Sequence, residues 1–233
     1  GVVPVHELGI EPDGRVYFTM RLVRGVDFED VILKARAEED GWNRMRALTS
    51  LQRVCETMAY AHSKGVVHRD LKPANVMVGQ FGETYVMDWG LAKIVGREDA
   101  AAEELRERTA TLGLSSILTD RSERERAGTP SPLATQQGSV IGTPYYMPPE
   151  QAAGRIDDIG PHSDVYSVGC MLYQLIAGRR PYEEPGDNLD VHTLLAMVMH
   201  SPPKPVTEFD RTVPAELVAI CEKAMAPDWR DRY

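Results

Sequence analysis

The chain opens on an alternation of apolar and polar positions. Val2 to Glu7 and Arg15 to Leu22 are rich in β-branched and aromatic residues and are separated by Glu11-Pro12-Asp13-Gly14. That pattern predicts a hairpin, with a glycine in the turn where positive φ is tolerated. The period then lengthens. Met45, Leu48, Leu51, Cys55, Met58 and His62 recur at spacings of three and four, which predicts an amphipathic helix stopping at Gly65. After Val66-Val67, the runs Val76-Met77-Val78 and Tyr85-Val86-Met87 flank Phe81-Gly82-Glu83 as a second hairpin. Val165 to Ala177 reads as a buried helix with Val168, Met171, Leu172 and Leu175 as its core stripe. Between Lys93 and Ser139 the periodicity fails. The segments REDAAAEELRER and TDRSERERAGTPSPLATQQG bury little, so a mobile surface insertion is expected at about 94–138, with one short exposed helix from Ala100 to Arg108.

Composition narrows the class. With 233 residues, 42% of them hydrophobic, the chain can bury the core of one domain or of two small lobes. A net charge of -9 without clustered Lys and Arg argues against nucleic acid as a partner. Cys55, Cys170 and Cys221 lack CxxC spacing and fall in apolar helical patterns, so they read as reduced core thiols. The 6 histidines form no paired set, and zinc is not expected. No apolar run reaches the roughly 18 residues of a membrane span. The longest candidate, Val165 to Ala177, is interrupted by Tyr166, Ser167 and Gln174. Gly1 leads into a strand pattern without an initiating Met, so the chain reads as a fragment of a longer protein.

Two segments carry chemistry. His68 to Val78 is HRDLKPANVMV, and Met87-Asp88-Trp89-Gly90 follows after the second hairpin. Asp70, Lys72, Asn75 and Asp88 supply a base, a cation and two hard oxygen ligands for magnesium, which is the equipment of phosphoryl transfer. Four further segments follow in order: DWGLAK from Asp88, GTPYYMPPEQ from Gly142, SDVYSVGCMLYQLIAGRRPY from Ser163 and APDWRDRY from Ala226. Together these resemble the eukaryotic-like (Hanks-type) protein serine/threonine kinases over about Val2 to Tyr233. The style of DLKPANVMVG, MDWGLAK and MPPEQAAGRID is bacterial.

The resemblance implies an α+β, two-lobed protein-kinase-like fold. Residues 1–24 would be an N-lobe remnant of two strands and a hinge, and residues 25–233 a mostly helical C-lobe. Asp70 would orient the acceptor hydroxyl and Lys72 would stabilise the transferring oxygens. Asn75 and Asp88 would hold Mg²⁺, and ATP would contact Arg21, Val23, Lys72, Asn75, Met77 and Asp88. Arg69 would pair with a phosphorylated residue of the activation segment, with Thr135 the leading candidate and Ser139, Thr129 and Ser131 the alternatives, while Thr143 would bond the catalytic Asp and Lys. Structural roles fall to His68 and Trp89, the latter replacing the family's usual Phe. Glu150 and Arg232 would form a buried bridge, and Asp164 would hold the backbone of the catalytic loop.

The implied activity is transfer of the ATP γ-phosphate to Ser or Thr of protein substrates. The fragment itself is expected to be inactive, because the Gly-rich loop and the nucleotide lysine have no counterpart in it. Alternatives are a pseudokinase or regulatory binding module and a small-molecule phosphotransferase. Lys72 and the GTPYYMPPE segment favour a protein substrate over the last of these. The kinase portion is expected in the cytoplasm, with any membrane anchor lying outside this stretch.

Overall fold

The computed structural model describes residues 1–96, 102, 105, 144–183, 186 and 189–233. Strands β1 (Val5–Ile10) and β2 (Val16–Met20) pair antiparallel, and the Glu11 carbonyl accepts from Gly14 N–H at 2.9 Å in their turn. The predicted hairpin therefore forms but starts later. Val2 instead forms a parallel bridge with Val86, whose N–H donates to the Gly1 carbonyl at 2.8 Å. Val5, Leu8, Ile10, Val16 and Phe18 remain exposed on this two-stranded sheet.

Strand β3 (Val26–Asp27) leads directly into helix α1 (Phe28–Ala37), capped by the Asp27 carboxylate accepting Asp30 N–H at 2.9 Å. Helix α2 (Arg44–Ser63) is capped in the same way by Asn43 and ends before Gly65, whose φ of 72° turns the chain into β4 (Val66–Val67). The short strands β5 (Val76–Val78) and β6 (Thr84–Val86) form the second hairpin, with β3 on the other side of β5. Strand β7 (Lys93–Ile94) pairs with β4. Ile94, placed by composition at the start of the insertion, thus belongs to the sheet that frames the loop after β4.

Further along lie the helices α3 (Pro149–Ala152), α4 (Pro161–Ala177), α5 (Val191–His200) and α6 (Ala215–Ala224). Helix α4 begins earlier than its apolar run, at Pro161, a residue suited to the first helical position. It is buried on almost every side between α2 and α6, rather than along one stripe, and Val168 of the expected stripe is only half-buried. Its neighbours in the core are Phe28 and Val31 of α1, Leu51, Val54 and Met58 of α2, and Val76, Val78 and Val86 of the small sheet. These elements hold an α+β body that is predominantly helical.

Two expectations are corrected. The buried face of α2 is Ala47, Ser50, Leu51, Val54, Thr57, Met58 and Ala61, so Met45 and Cys55 lie outside it and are exposed. The reason is that Ser50 and Thr57 return their hydroxyl hydrogens to the carbonyls of Arg46 and Arg53, at 3.3 and 2.8 Å, and can be buried like apolar residues. The second concerns the stretch expected to be an exposed helix. Ala102 and Leu105 are helical, and Leu105 is only 2% exposed, packed with Val67, Leu91, Ile156 and Ile159. Three residues apart, Ala102 and Leu105 share one helix face, and that face seeks the small cluster beneath it.

Candidate active site

The loop between β4 and β5 is organised by a carboxylate that is not itself in the loop. Asp164, in the first turn of α4, is 1% exposed and accepts His68 N–H and Arg69 N–H, both at 2.9 Å. His62 Nε2 lies 2.8 Å from the same carboxylate. Three interactions from two segments thus fix the backbone at His68 and Arg69, where Arg69 takes a φ of 71°. A non-glycine residue in that left-handed region persists only where its surroundings hold it.

From this anchor the chain delivers Asp70. Its Oδ2 accepts Lys72 Nζ at 2.8 Å and Asn75 Nδ2 at 3.2 Å, while Asn75 Nδ2 also donates to the Asp70 carbonyl at 2.7 Å. Asp70 and Lys72 are each half-buried, so the ion pair meets water on one side.

The second carboxylate is tied to the first through the backbone. Met87 N–H donates to the Asn75 carbonyl at 2.8 Å, and the Met87 carbonyl accepts from His68 Nε2 at 2.8 Å. With a carbonyl as its partner, Nε2 carries the hydrogen, which leaves Nδ1 to accept Asp70 N–H at 3.3 Å. His68 is completely buried and its ring lies 4.7 Å from that of Trp89, tilted by 58°. Trp89 Nε1–H donates to the Val86 carbonyl at 3.0 Å, so the indole occupies its place with its one polar atom satisfied. Between Met87 and Trp89, Asp88 takes a φ of 55° and exposes its side chain.

The donor set fits Mg²⁺. Asn75 has its amide hydrogens engaged and its Oδ1 accepts no protein hydrogen bond among the described residues, nor does the exposed Asp88 carboxylate have a protein partner there. Two hard oxygen groups suit an ion that completes its shell with water and phosphate oxygens.

Below the site, Arg232 and Glu150 form a bidentate pair, Nη1 to Oε1 at 2.9 Å and Nη2 to Oε2 at 3.0 Å. Their side chains are 0% and 1% exposed. Arg232 also donates to the carbonyls of Ala226, His162 and Pro227, which engages every guanidinium hydrogen, and Ser163 Oγ donates to Glu150 at 2.7 Å. Burial pushes the Glu150 carboxyl up, but the Arg232 hydrogen bonds and charge outweigh it, and the net position is below the usual carboxylate range.

Arg21 and Val23 line a groove of about 410 Å³ with the β5–β6 turn, and Met77 is half-buried in β5 opposite Asp27. No residue of the β4–β5 loop lines that groove. Thr135, Ser139 and Thr143 lie outside the described residues.

A polar cluster missed by the sequence reading adjoins the loop. Tyr146 O–H donates to Gln174 Oε1 at 2.6 Å, Gln174 Nε2 donates to Glu29 at 2.9 Å, and Arg180 Nη2 donates to the same Glu29 oxygen at 3.1 Å. Burial, reinforced by the Glu29 charge, raises the Tyr146 phenol far above its ordinary value and keeps it a donor. Its members stand up to 151 residues apart, and their only sequence signal is the polar Gln174 within an apolar helix.

Comparison with known proteins follows the same lines. The family described as "Protein kinase domain" matches residues 3–233. The chain is similar over its whole length to Serine/threonine-protein kinase PknD of Protochlamydia amoebophila (strain UWE25), at 32% identity, and of Chlamydia muridarum (strain MoPn / Nigg), at 29%. It is also 30% identical, again over its whole length, to "Probable serine/threonine-protein kinase CE0033" of Corynebacterium efficiens. The chain spans 22%, 24% and 30% of the lengths of these bacterial relatives.

Proposed function

Because the chain belongs to the protein kinase domain family, we propose that the protein carrying it is a serine/threonine kinase that transfers the γ-phosphoryl group of ATP to protein hydroxyls. The observation that carries this reading is the Asp70 carboxylate held between Lys72 and Asn75 on a backbone anchored by Asp164. Asp70 orients the acceptor hydroxyl and receives its proton. In a loose transition state little proton removal is needed early, so the position of this oxygen matters more than its basicity. Lys72, fixed at 2.8 Å from Asp70, presents positive charge where the transferring oxygens pass.

Asn75 and Asp88 would hold Mg²⁺, which when bound supplies charge neutralisation for the nucleotide phosphates. His68 keeps the two halves of the site in register through Met87 and Asp70. In this reading the stretch 21–24 is the hinge beside the adenine, and catalysis takes place in the cytoplasm, where ATP is available. The test is transfer of label from γ-labelled ATP by the full-length protein, followed by analysis of the phosphorylated amino acids. Label on Ser and Thr is expected. Label on Tyr alone, or on a small molecule with none on protein, overturns the proposal.

A further inference from the structure

Gln151 is the residue after the buried bridge carboxylate and is itself 4% exposed. Its backbone N–H bonds the Pro148 carbonyl at 3.0 Å, so the Glu150–Arg232 pair and α3 fix its position. Yet its side-chain oxygen is buried and receives no hydrogen bond among the described residues. Buried acceptors in folded proteins are satisfied by protein or by ordered water, because leaving one bare forfeits its hydration for nothing.

Gln151 lines a cavity of about 40 Å³ together with Arg69, Asp70, Lys72, Tyr146 and Ser167. A water needs about 10–15 Å³ by the same kind of measure and two to four polar neighbours. Both conditions are met. Lys72 has ammonium hydrogens beyond the one directed at Asp70, and Ser167 Oγ, which donates to the Tyr146 carbonyl at 2.9 Å, retains capacity to accept.

We propose that Gln151 is a positioning residue for phosphoryl transfer, holding an ordered water in this cavity so that the end of the activation segment braces the catalytic loop from beneath. This rests on the kinase reading above. The water satisfies the amide oxygen and links it to the wall formed by Lys72 and Asp70. Gln151 touches no reacting atom and acts through the geometry of that pair.

The test combines kinetics and density on the full-length protein. Gln151→Met keeps the volume and removes the acceptor. It is expected to lower kcat on the order of tenfold, with the KM for ATP and the melting temperature unchanged. A high-resolution crystal structure of the unaltered protein should show one water bonded to the Gln151 amide, absent from the variant. Unchanged kcat overturns the positioning role, as does a parallel fall of kcat and melting temperature, which is the signature of a packing defect alone. Should Gln151→Met fail to fold, the density of the unaltered protein decides. An empty cavity, or a Gln151 amide bonded directly to protein, overturns the proposal. An unaltered protein that transfers no phosphate refutes the kinase reading and the positioning role with it, while the density still reports on the water.

Discussion

Arg232 has its guanidinium wholly enclosed, so whatever removes Glu150 leaves a positive charge with no route to water. Breaking a buried pair of this kind costs about 3–5 kcal/mol, more than its formation contributes, because the surviving ion stays desolvated. Glu150→Ala and Arg232→Ala should therefore each lower stability by about that amount in denaturant melts. The pH dependence has a definite sign. The Glu150 carboxyl sits below its unfolded value of about 4.3, so its contribution is complete above roughly pH 5 and is lost as the pH falls through the folded value. Melting temperatures followed from about pH 7 to 3 should drop steeply at the acid end, and less steeply in Glu150→Gln. Equal acid sensitivity in the two proteins would assign the effect to other groups. Asp164 gives a second expectation at this scale. Asp164→Asn keeps one acceptor but sets an N–H2 donor against one of the two backbone N–H groups, so kcat should fall on the order of a hundredfold while the KM for ATP changes little. A rise in that KM with kcat preserved would show that the anchor serves nucleotide binding instead.

At the scale of elements, the motifs were more legible than the helix faces. HRDLKPAN and MDWG could be read directly because phosphoryl transfer demands particular chemical groups at fixed spacing, whatever packs around them. The phase of α2 could not. Apolar counting selected Met45 and Cys55, whereas the packed face includes Ser50 and Thr57, whose hydroxyls close on the helix's own backbone and so cease to behave as polar. Leu51→Ala, at a 3% exposed position, should cost about 2–5 kcal/mol, and Met45→Ala, at 72%, should stay within about 0.5 kcal/mol. Equal losses in thermal or chemical melts would restore the face read from the sequence. The cluster of Glu29, Tyr146, Gln174 and Arg180 was illegible for another reason. Its contacts span 28 to 151 positions and exist only once α1 and α4 have packed together.

Across the whole molecule, the helical body serves as a mount for one short loop. Helix α4 supplies Asp164 to the β4–β5 loop and Ser163 to Glu150, while α2 brings His62 to Asp164. Among the described residues no helix is long and apolar enough to cross a membrane. In the proposed reading Asp70 would carry the chemistry and Asn75 and Asp88 the metal, so loss of either carboxylate should stop transfer. The most direct test is the rate of γ-phosphoryl transfer to a protein substrate by the full-length protein, compared with Asp70→Asn and Asp88→Asn at saturating Mg-ATP. Loss of transfer by at least about a hundredfold in both variants, with folding intact, is the predicted result. Transfer at the unaltered rate in either would contradict the assignment of this loop as the catalytic centre.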